Sequence, residues 1–444
     1  MTVKWKIVTF TGAALLIVGF AVFTSMAREA GDRYTSAVEE ARSRGIPVST
    51  KELKTVSTSE STLTALDLPP LLMVNELKGF DPLKADTKSL QAAAKATEPF
   101  LERINRFIKQ APAGPLGSSH SDSMIISHMV STLETHARLA LQEDKLDECI
   151  AYLIKLNELA IALTAYDKPF HATMGLWRSY TIGLAVAERG DTRLIGEIGR
   201  VIRSAPDVSF LPEYKRLAAP QQEYIKQVAA GETRETVLVR IGPLRVNRPV
   251  KPFEAVAAGG AALEMVFEVV DAWDNPDQFE DIRWRMIRTR RNYSNREAAN
   301  AKRAGMKLKR DEIESDARKI AAILSIEALS IKSTTGSWPA IEQLAEKGFI
   351  TLDPVSKEPF EFAFEGDGLF VGATRPRVGF IEVLRFDTPE TSSPRYRFRV
   401  SSNPRQRRCR EPRVRTGRSP FPHCLSQFRA HRSQQGNRSF APWR

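Results

Sequence analysis

The sequence predicts a mainly α-helical chain with an N-terminal transmembrane helix, an antiparallel helical bundle or short α-solenoid, and a small C-terminal α+β module. Three observations carry that expectation. Residues 7–26 (IVTFTGAALLIVGFAVFTSM) form twenty consecutive positions without a charge. Between residues 86 and 334, apolar side chains recur every three or four positions in segments of helical length, as a helix with one buried face requires. After residue 335 the chain breaks into short apolar runs punctuated by Gly and Pro, which read as strands and turns.

The uncharged stretch sets the expected location. At about 1.5 Å of rise per residue it is about 30 Å long, the thickness of a hydrocarbon core. A cleavable signal peptide is the competing reading, because Lys4 and Lys6 form a basic start and Ser25-Met26-Ala27 a small-x-small site. Its hydrophobic region would be typically only about 7 to 15 residues long, so an uncleaved anchor is preferred over residues 1–30. Arg28, Arg33, Arg42 and Arg44 make the downstream flank as basic as the short N-terminus. Long domains translocate largely regardless of charge, however, so the N-terminus is expected in the cytoplasm and the body outside it, at the cell membrane.

The formal charge of +12 suggests nucleic acid until it is located. Residues 401–444 hold eleven Arg and one Glu, a net of +10, which leaves +2 for everything before them. That tail has no hydrophobic period and few aliphatic residues, so it is expected to be a disordered basic arm or else a reading-frame artefact. Nucleic acid is not an expected partner. Cys149 lies in a helical stretch and reads as a core residue, while Cys409 and Cys424 belong to the tail, so no disulfide framework is expected.

Along the chain, residues 31–85 continue the first helix and then become a Ser/Thr- and Pro-containing linker. Residues 86–232 form a helical domain. Asp86 or Thr87 can cap TKSLQAAAKATEPFLERINRFIKQ, and three further helices of about 20 residues follow, SDSMIISHMVSTLETHARLALQ, LDECIAYLIKLNELAIALTAY and HATMGLWRSYTIGLAVAERG. Shorter helices are expected over residues 192–203 and 212–230. The junctions LALQEDKLDECI and LAVAERGDTRLIGEI look alike, the shape of a helical-hairpin repeat, although two copies are fewer than the three or so an array needs. Residues 233–334 supply two strands about Gly242-Pro243, a helix over residues 253–273, and a helix over residues 311–331 with Ile313, Ala317, Ile320, Leu324, Ala328 and Ile331 on one face.

Residues 335–400 form the small α+β module. Gly336 can stop the preceding helix, Trp338 can anchor the turn, Pro339 can open the next helix, and Asp353-Pro354 forces an extended turn. Gly366-Asp367-Gly368 joins strands EFAF and LFVG, and IEVLRF and RYRFRV can extend the sheet. This order (helix, Gly-x-aromatic-Pro, Leu-rich helix, Asp-Pro, hairpin) over residues 321–373 resembles the C-terminal module of type II secretion pseudopilins and a related motif in many bacterial single-pass membrane proteins. The resemblance covers about 50 of the 444 residues and implies a fold rather than an activity. In pseudopilins the anchor helix carries a processing site and leads directly into the module, whereas here residues 31–320 intervene.

No catalytic constellation is recognisable. His120, His128 and His136 recur every eight residues, but eight residues of helix rise about 12 Å, too far for two ligands of one zinc at about 2 Å each. No metal or cofactor is therefore expected. His171 and Trp177 read as core, the acidic run DAWDNPDQFED as a solvated loop, and Gly259-Gly260 as a close helix contact. Residues 283–310 carry eleven Lys or Arg against one acid, Glu297. Arg283, Arg285, Arg288, Arg290 and Arg291 are the candidate anion-binding residues, for anionic lipid or a wall polymer, against the plainer reading of a solvated face beside the acidic loop. The expected function is a membrane-anchored, extracytoplasmic helical interaction or scaffold protein, envelope- or secretion-associated, with a protein partner in the envelope. The alternative is a membrane-anchored envelope hydrolase whose active site the sequence does not mark.

Overall fold

The computed structural model describes residues 3–53, 85–109, 120–166, 168–189, 192–241, 244–285, 292–355, 357–365, 368–372 and 397–401. Its element order is α1 (Val3–Ser43), α2 (Thr87–Lys109), α3 (His120–Gln142), α4 (Leu146–Ala165), α5 (Pro169–Ala187), α6 (Thr192–Arg203) and α7 (Leu211–Ala229). The hairpin β1 (Thr236–Ile241) and β2 (Leu244–Pro249) then precedes α8 (Pro252–Asp271), α9 (Pro276–Trp284), α10 (Tyr293–Thr335), α11 (Ile341–Glu346), β3 (Glu361–Glu365), β4 (Gly368–Gly372) and β5 (Arg397–Ser401). The mainly helical expectation holds. The spanning expectation does not follow from the fold. Among the described residues no helix is long and apolar enough to cross a membrane, and the side chains of residues 7–13 and 15 of the expected span lie outside the described residues.

Local chemistry explains most boundaries. The Asp86 carboxylate accepts from Ser89 N at 2.8 Å and starts α2, Asn275 accepts from Gln278 N at 3.2 Å to start α9, and Asn292 accepts from Ser294 N at 2.9 Å to start α10. Each supplies an acceptor for an amide that has no partner in its own helix. Pro169, Pro212, Pro252 and Pro276 occupy first turns, where the missing N–H costs nothing. Gly336 ends α10 at φ +80°, a left-handed conformation that side chains with a Cβ resist.

One difference from expectation is large. The helix read over residues 311–331 extends N-terminally to Tyr293, so α10 is 43 residues long and takes in much of the basic segment. Its first half buries Ala298, Ala299, Ala301, Gly305 and Leu308, mostly small residues that leave a faint hydrophobic period. A Cβ on Gly305 would lie 2.6 Å from Val269 Cγ1 and 2.9 Å from Tyr214 Cζ, so side chains of α7 and α8 pack directly on the α10 backbone there.

Successive helices α2 to α6 pack on one another, and α10 packs on α5, α6, α7, α8 and the strands β4 and β5. One buried apolar cluster joins α1, the α2–α10 helices, Leu344 of α11, and Leu369 and Val371 of β4. The linker expectation is altered at its start: Ile46 and Val48, just after α1, are buried, while residues 54–84 lie outside the described residues. In the C-terminal region β3, β4 and β5 form an antiparallel sheet in that order. The expected strand IEVLRF and the tail 401–444, Ser401 apart, also lie outside the described residues.

Candidate functional site at the first helix

Helix α1 has two halves of different character and no break between them. In the first, Leu16 is 76% and Phe20 70% exposed, with Ile17, Val18, Val22, Phe23 and Met26 exposed beside them. Such a run of exposed large apolar side chains is far outside the scattered exposure of ordinary surfaces. In the second half Ala30, Ala37 and Ala41 are buried, and the helix lies on α8.

The docking is close because α8 presents two glycines to Tyr34 of α1. A Cβ on Gly259 would lie 2.7 Å from Tyr34 Cε2 and 3.0 Å from Gln222 Oε1, and one on Gly260 would lie 3.6 Å from Tyr34 Cα. The pair read from sequence as a close helix contact is thus the seat of α1. Burial pushes the Tyr34 phenol above its ordinary value, and its hydroxyl and Gln222 Oε1 have no hydrogen-bond partner among the described residues. Charged pairs line the edge. Arg33 donates through Nε to Glu264 Oε1 at 2.6 Å and through Nη2 to Oε2. Arg44 reaches Asp271 at 2.7 Å and Glu40 at 2.6 Å and stacks over Phe267. Beyond the helix, Glu52 accepts from Val48 N at 2.9 Å and from Arg42 at 2.8 Å. The Val48 amide and Arg42 hold its carboxyl below the usual range.

The candidate anion-binding arginines are placed in part. Arg283 pairs with Glu280 at 2.7 Å and Arg285 with Glu268, while Arg288, Arg290 and Arg291 lie outside the described residues. Other basic residues on α10 also meet acceptors within the body. Arg296 bridges Glu235 at 2.8 Å and Glu297 at 3.2 Å, Lys302 donates to the carbonyls of Arg283 and Arg285, and Arg310 pairs with Glu314 at 2.8 Å. Asp271 and Glu280 of the expected acidic loop are themselves ion-pair partners.

Several buried polar groups carry no signal in the sequence. Glu312 accepts from Phe210 N at 2.8 Å, from Trp273 Nε1 at 3.1 Å and from Lys309 Nζ at 2.6 Å, so three separate segments converge on one carboxylate. Glu134 is fully buried between Arg138, at 2.9 Å, and Arg178. His136, read as a surface or core histidine, is buried with Nε2 3.2 Å from Thr97 Oγ1, and desolvation lowers its pKa and that of His128. Burial raises Glu213 to about 7 and Asp311 and Asp316 to about 6. Trp177 packs under the Arg318 guanidinium at 5.8 Å, and Cys149 is buried and unpaired. Among the described residues no group of three or more metal-ligating side chains comes together. No protein-family model, curated protein or solved structure matches this chain.

Proposed function

We propose that the chain is a single-pass membrane protein whose helical body acts as an extracytoplasmic interaction or scaffold domain, held at a fixed attitude by its own anchor. The observation that supports this is α1 itself. One uninterrupted helix presents exposed apolar side chains from Leu16 to Met26 and then seats Ala30, Tyr34, Ala37 and Ala41 in the body. A bilayer satisfies the first half, since apolar side chains and an internally hydrogen-bonded helix are what hydrocarbon accepts. The second half makes the anchor part of the domain rather than a tether. Helical bodies without a recognisable catalytic constellation serve as binding surfaces, and the C-terminal module over residues 321–373 fits an envelope- or secretion-associated setting through its resemblance to pseudopilins.

Membrane extraction combined with protease protection tests the reading. The full chain is expected to resist alkaline carbonate, to be released by detergent, and to lose its body to protease added to intact spheroplasts. Release by carbonate would remove the anchor. Survival of the body in intact spheroplasts would place it in the cytoplasm and remove the extracytoplasmic assignment.

A further inference from the structure

Helices α1 and α8 run parallel, because Arg33 with Glu264 and Arg44 with Asp271 follow in the same order along both. Farther toward their N-termini, Phe23 of α1 and Phe253 of α8 meet edge to face at 5.2 Å. Phe23 is 45% exposed and belongs to the apolar run that ends at Met26, while Phe253 is partly buried. The first charge after that run is Arg28, about 8 Å farther along the helix than Phe23. The body therefore reaches back along α1 and touches its exposed apolar half inside the run rather than beyond it.

What lies beside Phe253 is cationic. Lys251 is exposed, and its ammonium stands 5.8 Å from the centre of the Phe253 ring. Val250 N donates to Glu235 O at 2.9 Å, one step past the Thr236–Pro249 pair at the root of the hairpin. The next residues on the two sides, Arg234 and Lys251, thus face each other across that root, and Arg234 is exposed as well. Like charges in that relation repel and favour an anion against them. The acids adjoining them in sequence are committed elsewhere, Glu235 to Arg296 and Glu254 to Arg248. Glu232 is exposed nearby, and one acid against two cations leaves the corner net positive.

We propose that this corner of the body rests on the bilayer, with the Phe253 ring at the boundary of headgroups and acyl chains and Arg234 and Lys251 on anionic phospholipid headgroups. This rests on the anchor reading above: a bilayer that surrounds the exposed half of α1 as far as Phe23 also meets the ring packed on Phe23. The surface is continuous with the anchor and carries uncommitted positive charge, which together select an anionic lipid surface as its occupant. Residues 7–23 then supply the spanning part, about 26 Å long and at the short end of the range of about 17 to 25 residues. Headgroups add about 5 to 7 Å on each side. Long Lys and Arg stems carry their charge into that layer while their apolar parts lie deeper. Tethering by α1 raises the local concentration of the corner at the surface, so a weak contact suffices.

The test uses the full chain carrying Cys409→Ser and Cys424→Ser. Cys149 is buried and its thiol is pushed up to about 12, so it labels slowly. An environment-sensitive dye is placed at the exposed position beside Phe253, Pro252→Cys, or, in a second protein, on Ile17→Cys. Each is reconstituted in vesicles of phosphatidylcholine with or without phosphatidylglycerol. The label at position 17 is expected to report lipid in both. The label at position 252 is expected to shift farther to the blue with phosphatidylglycerol, and to lose that increment in high salt or with Arg234→Ser and Lys251→Ser. A water signal at position 252, or a shift of the same size in both vesicles, beside a lipid signal at position 17 would overturn the headgroup contact and leave the anchor standing. A water signal at position 17 would overturn both. The salt arm leaves Arg234 and Lys251 in place, so misfolding of the double variant does not blunt the test.

Discussion

At the scale of single residues, burial decides which charges matter. Glu312 stabilises three donors from different parts of the chain, and truncating it leaves Phe210 N–H, Trp273 N–H and the Lys309 ammonium facing an apolar gap. Breaking a buried pair by removing one partner costs about 3 to 5 kcal/mol. Glu312→Ala is expected to lower the unfolding free energy by that order and Glu312→Gln by clearly less, because the amide keeps an acceptor oxygen. Equal loss in both, read by chemical denaturation, would show that the carboxylate's hydrogen bonds do not hold the site. Glu213 makes a pH prediction. Its carboxyl titrates at about 7 instead of the ordinary 4.5, first through desolvation and then through Asp311, against Lys168 and Lys307. The folded state therefore binds a proton that the unfolded state has lost between pH 4.5 and about 7, and this group's contribution falls as pH rises through that window. His128 and His136, lowered by burial, act oppositely below pH 6.5, so the sign is read from a difference. The stability of Glu213→Gln minus that of the parent chain is expected to rise from pH 4.5 to about 7 and then level off. A flat difference would show that Glu213 is solvated.

Elements are decided by contact distance more than by visible ion pairs. Arg33 and Glu264 make a two-point bridge across α1 and α8, but their side chains are 59% and 38% exposed, and exposed pairs are worth about 0 to 1 kcal/mol. Gly259, which no charge marks, allows the helices to touch. Gly259→Leu must displace the Tyr34 ring, an overpacking that costs about 1 to 3 kcal/mol. It is expected to lower the melting temperature and expose the α1 seat to protease, whereas Arg33→Ser changes both little. The opposite ranking would assign the docking to the ion pair. Element legibility follows the same physics. Helices α2 to α6 announce themselves because large aliphatic residues recur at helical spacing, and the hairpin about Gly242-Pro243 because two branched runs flank a turn. The first half of α10 was hidden because its buried side is mostly Ala and Gly, with few large aliphatic residues, and its other sides carry Arg and Lys. Ile46 and Val48 were read as linker because two isolated apolar residues have no period.

For the whole molecule, the first helix and the body are one object. The apolar stretch reads from sequence as a separate segment, yet α1 continues without a break from it into the core, where its second half contributes buried surface. The basic segment shows the converse: a local count of eleven cations against one acid suggests a binding patch, and the fold pairs Arg283, Arg285, Arg296 and Arg310 with acids 1 to 61 positions away in sequence. What the sequence by itself determined is the one-dimensional part: where helices and strands run, where they stop, and which stretch has no charge. Those depend on neighbours within a turn or two. Only the tertiary structure decided which carboxylates are buried, which arginines are occupied, and that the first helix is seated on Gly259. Each of those is a meeting of residues distant in the chain, and nothing in local spacing records it.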